Sequence, residues 1–144
     1  MNFRSKVLFV TFFTFSSTLW AHSGATGIVK ERMDNFKESK KSMKLLKKAV
    51  RNDDFTVVAQ EAMVINRWAR KLTDYFPEGS NQPPSEALNL IWEEFERFEV
   101  RADTQIRASE RLQRSGLNKD ADGAAKAYSE LAQSCKACHN DYRE

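Results

Sequence analysis

Two cysteines and a histidine stand close together near the end of the chain, at Cys135, Cys138 and His139. On a helix, residues three and four apart share one face, so the two thiols can reach the two vinyl groups on one edge of a porphyrin. The imidazole of His139 can then bind the iron as its proximal ligand. The spacing C-x-x-C-H therefore predicts covalent attachment of one haem c.

The same cysteines allow two other interpretations, a local disulfide and half of a zinc site. Both cysteines of the chain lie in this one segment, so they cannot join distant parts of the fold. A zinc site needs four ligands, and the only other histidine is His22. A thioredoxin-like redox pair would need a βαβ context, which the sequence pattern does not offer. Haem attachment is therefore the interpretation that requires the fewest residues or structural elements that the sequence lacks.

The first residues resemble an export signal rather than a part of the fold. Arg4 and Lys6 precede an apolar run over 7–15, and the small residue Ala21 follows shortly afterwards. The run is shorter than the ~20 residues that a membrane-spanning helix needs. We predict a signal peptide over 1–21 and a haem domain over 22–144, located in the periplasm with no stable membrane insertion after cleavage. An uncleaved membrane anchor is the alternative.

The charge of the chain is nearly balanced. It contains 23 Lys and Arg against 20 Asp and Glu, a formal net charge of +3. Removal of Arg4 and Lys6 with the signal would leave 21 basic residues against 20 acidic ones. Nucleic-acid binding usually needs a concentrated basic footprint, so the composition gives no support to a nucleic-acid partner and we predict none.

Apolar residues recur at helical spacing in four stretches, and no stretch of the predicted domain has the pattern of a strand. The stretches cover about 25–50, 54–76, 85–114 and 119–142. Asn52, Asp53 and Asp54 offer N-cap oxygens for the second helix, and Ser85 is the predicted N-cap of the third. Trp68 lies off the main apolar stripe and is expected at an interface. Four amphipathic helices with short connections predict an all-α, antiparallel up-down-up-down four-helix bundle.

A C-x-x-C-H motif on the last of four helices resembles the class II c-type cytochromes, the cytochrome c′ family. Segments 27–33, 76–80 and 91–95 match this family as well, and the resemblance extends over 25–143. It implies a four-helix bundle with haem near one end. It also implies binding of NO or CO, transfer of single electrons with periplasmic redox partner proteins, and a possible homodimer.

The resemblance leaves the sixth iron ligand open between two residues of the first helix. In the family, the residue one turn after an arginine matching Arg32 decides the ligation, and this residue is Phe36 here. A phenyl ring cannot bind iron, so Phe36 implies a five-coordinate haem that takes NO or CO. Met33 lies three residues earlier, and its thioether could instead make the haem a six-coordinate electron carrier.

The resemblance also assigns roles to two arginines. It implies that Arg32 contacts a haem propionate, because a guanidinium fork matches a carboxylate; a solvated surface arginine is the alternative. It implies that Arg143 lies close to His139. We identify no distal acid–base residue and therefore predict that the chain is not an enzyme. The lysines over 37–48 are expected to form a solvated face, or to steer an acidic redox partner.

Overall fold

Helices account for nearly all of the regular structure in the computed structural model, which describes residues 24–144. The five α-helices are α1 (Gly27–Arg51), α2 (Phe55–Ala69), α3 (Leu90–Glu93), α4 (Phe95–Leu117) and α5 (Ala121–Tyr142). A short 3₁₀-helix, Leu72–Tyr75, follows α2. The helices α2 and α4, α4 and α5, α1 and α2, and α1 and α5 pack against each other. The predicted all-α four-helix bundle is confirmed.

Aspartate side chains cap the second and last helices. Of the three residues predicted to offer a cap, Asp54 provides it: its carboxylate accepts a hydrogen bond of 3.2 Å from the backbone N–H of Val57. Asp120 accepts one of 2.9 Å from the N–H of Gly123 in the same way. Each cap satisfies a backbone N–H that has no partner within the helix and places negative charge at its positive end.

The prediction of one continuous third helix beginning after Ser85 is wrong. The chain instead forms the single turn α3, breaks at Glu94 with φ −134° and ψ 49°, and continues as α4. Ser85 caps no helix, since its hydroxyl accepts hydrogen bonds from the N–H of Ala87 and from Arg32. Contacts to distant residues, among them a 3.0 Å hydrogen bond from the hydroxyl of Tyr142 to Glu94, override the helical pattern here.

The core of the bundle is divided into two clusters. The aliphatic cluster is built around Leu46, Val58, Ile65, Leu112 and Leu131, with small alanines between them. The aromatic cluster comprises Trp68, Leu72, Phe76, Ile91, Phe98, Ala102 and Tyr142, and Phe36, Trp92, Phe95 and Cys138 are among the residues packed against it. The bundle thus has an aliphatic part and an aromatic part, and α5 contributes to both.

Gly116 marks a close approach of α4 to α2. A Cβ atom at this position would lie 2.7 Å from the backbone nitrogen of Ala59 and 3.0 Å from the carbonyl oxygen of Phe55. Backbone atoms within a packed helix cannot move aside as a flexible side chain can. We therefore expect Gly116→Ala to lower the free energy of unfolding by about 2 kcal/mol, measured by denaturant titration. An unchanged midpoint would contradict this account of the helix contact.

The predicted signal peptide over 1–21 and His22 lie outside the described residues. Between Gly24 and Glu144, none of the helices combines the length and the apolar character that crossing a membrane requires.

Candidate haem-binding site

The two cysteines and the histidine lie on the last turns of α5, as the motif predicts. Helical spacing places Cys135 and Cys138 on one face, and both thiols are free and half-buried. Cys138 packs against the aromatic cluster. The attachment motif therefore adjoins an apolar, aromatic part of the core, which is the environment that a porphyrin ring needs.

The thiols are not set up for redox catalysis. Burial raises the pKa of Cys138 to about 11, with Cys135 contributing, and burial also raises the pKa of Cys135. Reactive cysteines have the opposite property, a lowered pKa that exposes a thiolate. Within residues 24–144, no three His, Cys, Asp or Glu side chains are grouped so as to hold a metal ion. These observations argue against the thiol–disulfide and zinc interpretations.

His139 is exposed at the surface, beside the C-terminal end of α5. Partial removal of water by the surrounding chain lowers the pKa of its imidazole, and the positive charge of Arg143 lowers it further, while Glu86 opposes the shift. A lowered pKa favours the neutral imidazole, which is the form that binds a metal. The structure thus brings Arg143 close to His139, as the family resemblance implied.

Residues 77–89, here called the strap, cross the end of α5. Arg143 forms an ion pair with Glu86 and a single antiparallel bridge with Ala87. The N–H of Leu88 donates a 3.1 Å hydrogen bond to the carbonyl of Tyr142. The strap therefore holds the end of the helix that carries Cys138 and His139.

Arg32 is buried, with 2% of its surface exposed, so the alternative of a solvated surface arginine is wrong. Its guanidinium donates hydrogen bonds to the carbonyl of Tyr75, to the hydroxyl and carbonyl of Ser80, and to the hydroxyl of Ser85. It also lies over the ring of Phe76, 4.5 Å from the centroid. Burial lowers its pKa, and no carboxylate in the described part of the chain forms an ion pair with it.

The structure separates the two candidates for the sixth-ligand position. Phe36 packs against the aromatic cluster, with its ring centroid 5.3 Å from that of Trp68 and 6.4 Å from that of Phe76. Met33 is 38% exposed. Phe36 therefore shares a cluster with Cys138, whereas Met33 is not among the residues packed against that cluster and keeps more than a third of its surface exposed.

Trp68 is a residue of this site that the sequence pattern misplaced. It is 5% exposed and a member of the aromatic cluster, so the expectation of an interfacial position is wrong. Its indole nitrogen Nε1 is buried and has no hydrogen-bond partner among residues 24–144. The stripe of α2 runs through the neighbouring Ala69. The position of Trp68 beside the apolar stripe therefore did not predict its burial, because a large ring can reach the core from a neighbouring helical position.

The residues at this end of the bundle fit a haem group. Two thiols three residues apart precede an imidazole, and aromatic side chains supply an apolar surface for the ring. Within residues 24–144, the buried positive charge of Arg32 has no carboxylate partner, and a porphyrin carboxylate is a group that would balance this charge. The buried N–H of Trp68, which has no acceptor in the described part of the chain, matches a bound polar atom.

A four-helix bundle whose last helix carries C-x-x-C-H beside an aromatic core defines the bundle class of c-type cytochromes. The family model described as Cytochrome C' matches residues 27–143, and the chain belongs to this family. The cofactor of the family is one covalent haem c, which is therefore the cofactor of this chain.

Solved structures show the same fold. The cytochrome c' of Rubrivivax gelatinosus is 20% identical, with a TM-score of 0.74 over 81% of this chain and 94% of that one. The cytochrome c' of Rhodopseudomonas palustris is 24% identical, with a TM-score of 0.73 over 83% and 98% of the two chains. The nitric oxide complex of a mutant cytochrome c prime from Alcaligenes xylosoxidans is 20% identical, with a TM-score of 0.73 over 81% and 93%. No curated protein matches the chain.

Proposed function

We propose that the mature chain is a periplasmic cytochrome c′ that binds NO or CO at a five-coordinate haem and also transfers single electrons. In this proposal, 1–21 is removed as a signal peptide and 22–144 forms the haem domain. Cys135 and Cys138 form the thioether bonds, and His139 is the proximal ligand. The observation that carries the proposal is the position of Phe36, which packs in the same cluster as Cys138, while Met33 is 38% exposed.

Bound haem supplies an iron that accepts a diatomic ligand and changes its oxidation state by one electron. The protein side chains do the rest. Phe36 covers the distal side with an apolar ring that cannot coordinate and that excludes water. Arg32, buried and without an acidic partner in 24–144, neutralises a haem propionate. The ion pair of Arg143 with Glu86 holds the end of α5 against the strap.

Optical spectra of the ferrous protein test the distal assignment. We expect a broad high-spin band that shifts when CO is added, and the same result for Met33→Leu, because an exposed thioether does not bind iron. The matched variant Phe36→Met places a thioether where the phenyl ring now lies. It should produce a sharp low-spin band that CO does not shift. A sharp, CO-insensitive band in the unchanged protein that is lost in Met33→Leu would overturn the proposal in favour of Met33 ligation.

An electron-transfer role also needs a partner, and α1 offers a surface for one. Six of the exposed lysines of this helix lie between positions 37 and 48: Lys37, Lys40, Lys41, Lys44, Lys47 and Lys48. Such a surface attracts an acidic redox protein, and the rate of electron transfer should fall as salt is added. The proposal does not include an enzymatic reaction, since the only histidine within the described residues is the proximal His139.

A homodimer belongs to the same proposal. Met33 and Leu45 on α1 and Met63 on α2 are large apolar side chains that are more than a third exposed. These residues support pairing of two copies through the first two helices. Sedimentation equilibrium of the haem-loaded protein, compared with a Leu45→Glu variant, decides between a dimer and a monomer.

A further inference from the structure

Trp68 packs directly against Phe36, the residue assigned to the distal side of the haem. Its ring meets that of Phe36 edge-on, with 5.3 Å between the centroids and 86° between the planes. On its other side it packs against Tyr75, 5.1 Å away. The ring of Trp68 therefore belongs to the same side of the aromatic cluster as Phe36.

The indole N–H of Trp68 is unusual because it is buried without a hydrogen-bond acceptor in the described part of the chain. Trp92 provides the contrast, since its N–H donates a 2.9 Å hydrogen bond to the carbonyl of Phe76. Folded proteins rarely keep a buried N–H without a partner, because the group loses its bonds to water and gains none in return. A phenylalanine at this position would avoid that penalty while filling similar space.

A propionate is the less suitable acceptor for this N–H. The guanidinium of Arg32 is buried, lies over Phe76 and has no carboxylate partner in the described chain. A carboxylate of the haem can therefore be neutralised there, by a full positive charge. Trp68 touches Phe36 instead, the side chain assigned to the distal side. A ligand on that side is the acceptor that its position favours.

We propose that Nε1 of Trp68 donates a hydrogen bond to a diatomic ligand on the distal side of the haem. The inference rests on the proposed function and adds a specificity-determining residue to it. Phe36 and Phe76 alone would offer a ligand only hydrocarbon surface, whereas Trp68 adds an N–H group. With it, a ligand whose outer atom accepts a hydrogen bond is held more tightly than one whose outer atom does not. The indole would thereby let the site discriminate between diatomic ligands by the polarity of their outer atom as well as by their size.

The carbon–oxygen stretching frequency of the ferrous CO complex tests the proposal, because a donated hydrogen bond draws electron density onto CO and weakens its bond. We expect Trp68→Phe to raise this frequency relative to the unchanged protein. CO should also dissociate about threefold faster, as the loss of one modest neutral hydrogen bond implies. Trp92→Phe is the matched control, since its indole already donates to Phe76, and its frequency should equal that of the unchanged protein.

The possible results distinguish a failure of the proposed Trp68 hydrogen bond from a failure of the proposed gas binding. A CO complex with the same stretching frequency in the unchanged protein and in Trp68→Phe overturns the hydrogen bond but leaves gas binding intact. An equal rise of the stretching frequency in Trp68→Phe and Trp92→Phe also overturns the hydrogen bond, since the rise would then reflect a general loosening of the aromatic packing. Absence of any CO complex in the unchanged protein overturns the proposed function, and the role of Trp68 with it. Far-ultraviolet circular dichroism verifies that each variant is folded.

Discussion

Replacing both Cys135 and Cys138 with alanine is expected to abolish covalent haem attachment completely. The two residues are the only cysteines of the chain, and each can form one thioether bond. Their thiols lie half-buried on one face of α5, beside the aromatic cluster. The measurement is mass spectrometry of protein exported from cells that are competent for cytochrome maturation. The peptide containing both positions should carry the added mass of haem only when the cysteines are present.

A neighbouring position of α5 supplies the control for this experiment. The hydroxyl of Ser134 donates a hydrogen bond to the carbonyl of Leu131, one turn earlier in the same helix. Ser134→Ala should therefore keep its haem. Haem that stays bound to the double cysteine variant after denaturation would contradict the attachment, and so would an unchanged protein without the added mass.

Replacing Arg32 with methionine is expected to lower the free energy of unfolding by about 3 kcal/mol or more. The substitution keeps an apolar stem but removes the hydrogen bonds to Tyr75, Ser80 and Ser85. Those acceptors lie in the short 3₁₀-helix and the strap, so the change also frees the strap from α1. Denaturant titration of the haem-loaded protein gives the measurement.

An exposed arginine provides the comparison. Arg107 forms only a 3.9 Å ion pair with Asp103 on the surface of α4. Arg107→Met should therefore change the free energy of unfolding by less than about 1 kcal/mol. If the two variants were equally stable, the buried hydrogen bonds of Arg32 would contribute nothing particular to the fold.

The bundle could be predicted from the sequence because its signals are local. Apolar residues at helical spacing mark α1, α2, α4 and α5, and Asp54 caps a helix where its position before an apolar stripe indicates. The motif at Cys135, Cys138 and His139 is equally local. It lies within one helical segment, so neighbouring positions in the sequence are also neighbours in space.

The features that were missed depend on residues far apart in the chain. The break at Glu94 accompanies a hydrogen bond from Tyr142, 48 positions away. Arg32 is buried because the strap folds back over it, with partners 43 to 53 positions along the chain. No periodic pattern contains these contacts, so the sequence could neither exclude a surface arginine nor reveal that a continuous third helix is interrupted.

Helical spacing also could not decide which residue of α1 points into the core at the proposed distal side. Met33 and Phe36 are three residues apart, which places them about 60° from each other around a helix. An apolar stripe is at least this wide, so helical spacing cannot decide which of the two points into the core. The packing of Phe36 against Trp68 and Phe76 distinguishes them, and this packing involves a second helix and the chain that follows it.

The division of α5 between the two clusters has a mechanical consequence. Leu131 anchors the helix in the aliphatic cluster, whereas Cys138 and Tyr142 belong to the aromatic part. A haem bonded to Cys135 and Cys138, as proposed, would therefore be attached to a segment of α5 that is packed in the core on both sides of the attachment point. Under the proposed function, a gas molecule would therefore be admitted by displacement of Phe36 rather than of the helix, and Trp68, which packs against Phe36, would have to move with it.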